Sequence, residues 1–310
     1  MIAELNKIAS FNKYRYLLVD NMISLNPFHS LSKEQFFANY GENKDFGEKK
    51  LTPVLRTDLD YDPSICPTLV MLAEPYQFLE QAIIDKITTQ SSTECFWSKR
   101  YICAYIVTEL KPSLLAKKLV DIGNNIAKTL RRNYYYPFFE PFRMQFLHEL
   151  GSNSDNAWLK SQLLEIENYY YPSIHNGEFI AYSSTDVSII EHGWSNKYCQ
   201  RLKNLQVICT LVNAWGNNRK KFDDQKNLPL SNHVIIDATN YVEQAYQLGL
   251  TDVTDIVFWG LNGLRYQQLF TTHPQVLKQI PKAQQAPSTF SNHIINANID
   301  FDSQVHSLTK

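Results

Sequence analysis

One acidic cluster in the sequence has the residue types that hold a cation, Asp58-Leu59-Asp60-Tyr61-Asp62. Carboxylates at alternate positions match the start of a calcium-binding loop. The match ends there, because Pro63 stands where that loop needs Gly and Leu69 stands where it needs a bidentate Glu. We therefore expect a solvated loop before a strand at this position, and no metal site.

Catalytic patterns are equally sparse. The eight histidines are scattered, and none stands in an H-E-x-x-H or H-x-E arrangement; His148 and Glu149 are adjacent, so on one helix or strand they point in different directions. The sequence contains no G-x-S-x-G, no Walker A motif and no dinucleotide fingerprint. Residues distant in sequence could still form a triad in the fold. We expect no catalytic residue, no cofactor and no enzymatic activity.

A third pattern, Arg131-Arg132-Asn133-Tyr134-Tyr135-Tyr136, mixes basic and aromatic residues as single-strand nucleic-acid binders do. The end of a helix followed by an aromatic strand explains it equally well. With 30 Lys+Arg against 31 Asp+Glu, the chain has a net charge of −1 and no general excess of cations for phosphates. We therefore expect no nucleic-acid partner.

The composition indicates a folded protein with a substantial core. Of the 310 residues 44% are hydrophobic and 13% aromatic, which excludes disorder as the dominant state. No stretch approaches the ~18 consecutive apolar residues of a membrane span, and the first residues do not have the pattern of a signal peptide. The five cysteines include no C-x-x-C pair and an odd number closes no disulfide framework. These features predict a cytoplasmic protein with no membrane insertion.

The elements that would position any site predict an α+β fold. The N-terminal part has mixed α/β character with a small sheet, and the C-terminal part is mainly helical. Strands are predicted at residues 14–20, 67–72 and 101–108, and helices at residues 75–89 and 112–132. Between residues 133 and 183 the pattern is mixed, and Asn-Tyr-Tyr-Tyr-Pro occurs twice, at 133–137 and 168–172, without a surrounding repeat.

The second half has helical periodicity. It predicts helices at residues 196–215, 232–248 and from 253, with Gly249 as a C-cap and Thr251 or Asp252 as an N-cap, and a short helix at 274–280. Residues 217–224 are polar enough to predict a loop. The predicted organisation is an α/β lobe at residues 1–185 that binds a partner, a helical lobe at 186–282, and a flexible tail at 283–310.

The order of these elements resembles the type VI secretion effector-chaperone family, the Tap or Tec adaptors. Its first strand is similar to Tyr16-Leu17-Leu18-Val19-Asp20, and its Pro-apolar-Leu-Val-x-Leu strand to residues 67–72. A Leu-rich helix like residues 114–130 then leads to an aromatic-aromatic-Asp-Pro-Arg element, which resembles Phe138-Phe139-Glu140-Pro141-Phe142. Here Glu140 replaces the family Asp and Phe142 replaces the Arg.

The C-terminal half carries the more specific likeness. Ala245-Tyr246-Gln247-Leu248-Gly249-Leu250 is similar to a family helix that ends in Ala-x-x-x-Gly-(Ile/Leu). Asp252 and Asp255 resemble its acidic cap, and Phe270 with Pro274 resembles the closing Gly-x-x-Phe-x-x-x-Pro.

The resemblance implies a non-enzymatic cytoplasmic adaptor that binds a secreted toxin and promotes its loading onto the spike protein. It suggests a partner-binding surface, which we expect at these residues: Tyr136, Phe138, Phe139, Glu140, Phe142 and Arg143. Substitution of Phe139 and Arg143 is then expected to weaken client binding while secondary structure and melting stay unchanged.

Three alternatives stay open at this point. An accessory or positioning component of the secretion apparatus would have the same fold and bind apparatus subunits. A hydrolase would lose its activity on substitution of one carboxylate or serine. An immunity protein would bind the active domain of a toxin. The sequence does not name the client, the oligomeric state or the stoichiometry.

Overall fold

The structure is a computed structural model that describes residues 11–40, 50–59, 61–95, 99–183, 194–223, 233–299 and 301. The chain divides into two compact units, Met1–Asn196 and Lys197–Lys310, which we describe separately. The predicted lobe boundary at residue 185 lies outside the described residues. Among the described residues, no helix has both the length and the apolar character that a membrane crossing requires.

The first unit is built on a six-stranded sheet in which every neighbouring pair is antiparallel. The strand order is β2-β3-β1-β4-β5-β6. The strands are β1 (Tyr14–Val19), β2 (Leu51–Pro53), β3 (Thr68–Ala73), β4 (Ile102–Thr108), β5 (Asn168–Pro172) and β6 (Phe179–Ser183). The sheet and the helices described below confirm the predicted α+β class, and the three predicted strands are β1, β3 and β4.

Helices cover both faces of this sheet. They are α1 (Lys33–Tyr40), α2 (Gln81–Thr93), α3 (Pro112–Thr129), α4 (Pro141–Leu150) and α5 (Asn153–Gln162). Leu17 and Val70 share one core cluster with Phe36 of α1 and Ile84 of α2. Because side chains alternate along a strand, Tyr16 and Leu18 face the opposite side, and both are fully buried. This cover on two faces explains why β4 is apolar from Ile102 to Val107.

Two predicted helix boundaries in this unit were wrong. The helix expected at residues 75–89 is α2, which starts only at Gln81, because Tyr76 has a positive φ of 67° and the chain turns there. The helix expected to reach residue 132 is α3, which ends at Thr129 before Arg131, whose φ is 54°.

The second unit consists of helices in its described residues. They are α6 (Asn196–Lys203), which begins at the unit boundary, α7 (Leu205–Asp223), α8 (Val234–Gln247), α9 (Val253–Tyr266), α10 (Gln268–Thr271), α11 (Pro274–Leu277), α12 (Ile280–Gln285) and α13 (Phe290–Asn296). The helical backbone of α7 continues to Asp223, through residues 217–223 of the stretch predicted as a loop, because Arg and Lys are good helix formers and polarity alone does not end a helix.

The connection between α8 and α9 confirms two predictions. Gly249 has a φ of 76°, its N–H donates to Tyr246 O, and the Leu250 N–H donates to Ala245 O, as in a Schellman motif. Asp252 is the N-cap of α9, and its side chain accepts hydrogen bonds from the N–H groups of Thr254 and Asp255.

The prediction of a flexible tail from residue 283 was wrong for the residues that the structure describes. Residues 283–299 lie largely in α12 and α13, and the Phe290 side chain is fully buried. The Phe290 ring lies 5.7 Å from that of Phe258 in α9, and Phe301 lies 5.4 Å from Phe270. A few large aromatic residues dock this segment although its average composition is polar. Residues 302–310 lie outside the described residues.

Candidate functional site

Half of the predicted partner-binding surface lies inside the core of the first unit. Tyr136, Phe138 and Phe139 are each 0% exposed. The Phe138 ring lies 6.3 Å from Tyr169 of β5 and 5.9 Å from Phe139. Because these three side chains are fully buried, the expectation that they contact a client on the surface was wrong. In this sequence, an aromatic run that looks suited to an interface is needed for packing.

The other three predicted residues lie at the start of α4 and are partly exposed. Arg143 Nε donates a hydrogen bond to Glu140 Oε2, one turn earlier in the chain. The Arg143 guanidinium also lies 5.1 Å from the centre of the Tyr136 ring. Burial disfavours the charge of Arg143, but attraction to Glu140 and Tyr136 outweighs this effect and raises the pKa of Arg143. The pair thus holds the first turn of α4 against the core, and Phe142 beside it packs on Phe146 at 6.4 Å.

The acidic cluster that starts at residue 58 serves the local structure. Asp58 accepts two hydrogen bonds from the buried Arg56, at 3.0 Å from Nε and 2.7 Å from Nη2. Asp62 accepts hydrogen bonds from the backbone and hydroxyl of Ser64, which lowers the pKa of Asp62. Asp60 lies outside the described residues. Within the part of the chain that the structure describes, no group of three His, Cys, Asp or Glu side chains could hold a metal ion.

His148 joins α4 to the last two strands of the sheet. Its Nδ1 lies 2.7 Å from the hydroxyl oxygen of Tyr171, and its ring stands 4.8 Å from that of Tyr182 in an edge-on arrangement. Burial is the main reason that the pKa of His148 is lowered. These contacts are those of a packed histidine that stays neutral near pH 7.

An apolar groove of about 600 Å³ lies between strand β2 and helix α3. Sequence reasoning missed it. Its strand wall includes Leu51, Pro53 and Leu55, and its helix wall includes Ala116, Lys117 and Val120. The helix wall lies beside the stripe that α3 buries against the sheet, at Leu115, Leu119, Ile122 and Ile126.

The lining of the groove includes an exposed apolar side chain. Leu55 on the strand wall is 54% exposed. A signal for this surface was present in the sequence, because Val120 is an apolar residue of α3 outside its core stripe. β2 itself was harder to find, since it has three residues and one is Pro53.

A second exposed apolar cluster consists of Phe11, Tyr76 and Phe78. The Phe78 side chain is 88% exposed, and its ring lies 5.0 Å from that of Phe11. Tyr76 is 71% exposed and stands edge-on to Phe11 at 6.0 Å. The cluster therefore presents an aromatic surface to solvent.

Comparison with known proteins adds no relative. No protein-family model matches the chain, and no match is found among curated proteins or solved structures.

Proposed function

We propose that this chain is a non-enzymatic adaptor that binds a protein client through the groove between β2 and α3. The client class suggested by the resemblance of the sequence is a type VI secretion effector, held in the cytoplasm and delivered to the spike protein. The observation that carries the proposal is the groove itself, an apolar concave surface whose lining includes the exposed Leu55.

Physical arguments support a protein as the ligand. Exposed apolar surface that is contiguous and concave favours association, because burial releases about 25 cal/mol per Å² of apolar area. The groove is lined mainly by aliphatic carbon with one cation, Lys117, at its helix wall. Such a lining fits the aliphatic side chains of a polypeptide, and the charged group of Lys117 adds specificity for a segment that also carries a carboxylate.

The test is native purification of the tagged chain from its own cells, followed by mass spectrometry of the proteins that co-elute. We expect one secreted toxin in near-stoichiometric amount from the wild-type chain. The Leu55→Asp variant should lose this partner, because a carboxylate at the wall of the groove must be desolvated when the client binds. The matched control is Phe28→Asp, since Phe28 is 90% exposed in the same unit and lies outside the groove lining.

Two results would contradict the proposal. Recovery of apparatus subunits alone, in cells that lack every effector, would favour a positioning component of the secretion machine. Recovery of the chain without any partner would overturn both the adaptor and the positioning function.

A further inference from the structure

Strand β2 lies at the edge of the described sheet, and its hydrogen-bonding pattern leaves one side facing outward. The Val54 N–H donates to Pro67 O and the Met71 N–H donates to Lys50 O, both at 2.7 Å, and Thr52 stands opposite Leu69. Even-numbered residues therefore pair with β3. Because antiparallel pairing alternates, Leu51 and Pro53 direct their main-chain groups away from β3.

Pro53 restricts what this outer edge can accept. It has a carbonyl but no N–H, so the edge presents a donor and an acceptor at Leu51 and an acceptor alone at Pro53. Many proteins have a proline on an exposed edge strand, where it discourages continuous pairing with the edge of another sheet. A short incoming segment can still pair at Leu51 and donate one hydrogen bond to Pro53.

Helix α3 overhangs the place that such a segment would occupy. A neighbouring strand lies about 4.8 Å from its partner, and its side chains alternate between the two faces of the sheet. Alternate side chains of a segment beside β2 would enter the groove on the face that Thr52 also lines, against Ala116 and Val120. Aliphatic residues at every second position fit these walls.

The charges at the helix wall favour an acidic residue in the segment. Lys117 lines the groove and is exposed. Pro112 and Ser113 also line it, so the N-terminus of the 18-residue helix α3 opens into the same space. The first turn of α3 contains no acidic residue. The helix dipole and the ammonium group both attract a carboxylate to this end of the groove.

From these observations we propose that the client binds as an extended segment that adds a seventh strand beside β2, with alternating aliphatic side chains under α3 and a carboxylate near Lys117. This inference rests on the proposed adaptor function and specifies its ligand. It commits to an acidic segment of another protein as the occupant, because the walls are apolar and the one charged side chain among the described residues of the lining, Lys117, is a cation in the N-terminal half of α3.

The first experiment places a photo-crosslinking amino acid at position 55, with position 28 as control, and sequences the cross-linked client peptide. That peptide is then synthesised and titrated against the purified full chain. We expect Lys117→Glu to weaken binding about fivefold by reversing one partly exposed ion pair. The control is Lys128→Glu, because Lys128 is also exposed on α3 but lies outside the groove lining; this change should leave binding unchanged.

Amide hydrogen exchange provides the second readout. In the free chain the Leu51 amide should exchange quickly, while the amides of Thr52 and Val54 exchange slowly because they face β3. Saturation with the same peptide should slow exchange at Leu51 and change Thr52 and Val54 little. A peptide that packed as a helix on α3 would leave the Leu51 amide fast and would overturn the inference.

The remaining outcomes separate this inference from the adaptor function. If a client co-purifies but does not crosslink at position 55, and Lys117→Glu binds normally, the added strand is refuted and the adaptor function stands. A crosslink to a second copy of this chain would show that the groove is a self-association surface and would also refute the inference. Absence of any co-purifying protein would refute both proposals.

Discussion

Replacement of Phe139 by alanine tests whether the aromatic run after α3 is core or surface. The Phe139 side chain is 0% exposed and packs against Phe138 and against Tyr135 at 6.3 Å. Removal of a fully buried phenyl ring loses the transfer free energy of the ring and leaves a cavity, at a cost of about 3–5 kcal/mol. For a unit of this size each kcal/mol shifts the melting temperature by about 2–4 °C, so we expect a decrease of roughly 10 °C.

The assay is urea unfolding followed by near-ultraviolet circular dichroism, which reports the packing of aromatic side chains, together with a thermal melt. The control is Phe28→Ala, because Phe28 is 90% exposed and its removal should change the free energy of unfolding by less than about 0.5 kcal/mol. If the two variants unfolded at the same urea concentration, Phe139 would not be a core residue. That result would support the original hypothesis that Phe139 lies on the surface and contacts the client, so that its substitution weakens client binding while melting is unchanged.

Three further substitutions test other parts of the structure. Gly123→Ala should destabilise the first unit by about 1–3 kcal/mol despite the better helix propensity of alanine, because the new Cβ would stand 2.2 Å from the buried ring of Tyr135; a gain in urea stability would refute this packing. Burial lowers the pKa of His148, so protonation of this side chain favours the unfolded state. The contribution of neutral His148 to stability is therefore fully present above the unfolded pKa of about 6.5 and is lost as the pH falls through the lower folded pKa. His148→Asn should therefore reduce the dependence of unfolding free energy on pH below about 6.5, and identical slopes for variant and wild type would contradict the assignment. Asp255→Ala removes the acceptor of the buried Phe290 N–H, 2.9 Å away, so α13 amides should exchange hydrogen faster by the equivalent of about 1–3 kcal/mol; unchanged exchange would show that aromatic packing alone holds the helix.

Local signals in the sequence were sufficient for much of the framework. The continuous apolar run of β4 and the 3.6-residue stripe of α3 identify these elements because each pattern reflects burial along one element. Gly249 and Asp252 predict the turn between α8 and α9 correctly, since helix caps depend on the conformation and hydrogen bonds of a few adjacent residues.

Local sequence patterns did not predict which structure a segment adopts when its contacts come from distant parts of the chain. The sequence Asn-Tyr-Tyr-Tyr-Pro is a strand in β5 at residues 168–172, but at residues 133–137 it is an irregular segment after α3. The same five residues adopt two structures because β4 offers a pairing edge to the second copy, while Gly123 leaves room for Tyr135 in the first. Neither neighbour is close in sequence to the segment that it affects.

At the candidate site, too, local sequence patterns predicted the elements but not which side chains are exposed. By itself the sequence determined the α+β class, strands β1, β3 and β4, and the caps at Gly249 and Asp252, because periodicity and capping act over a few residues. Only the tertiary structure decided that Phe139 is buried and that Leu55 and Val120, distant along the chain, face one groove. Which side chains stay exposed depends on which strand lies at the edge and which helix packs beside it, and these are contacts between elements far apart in sequence.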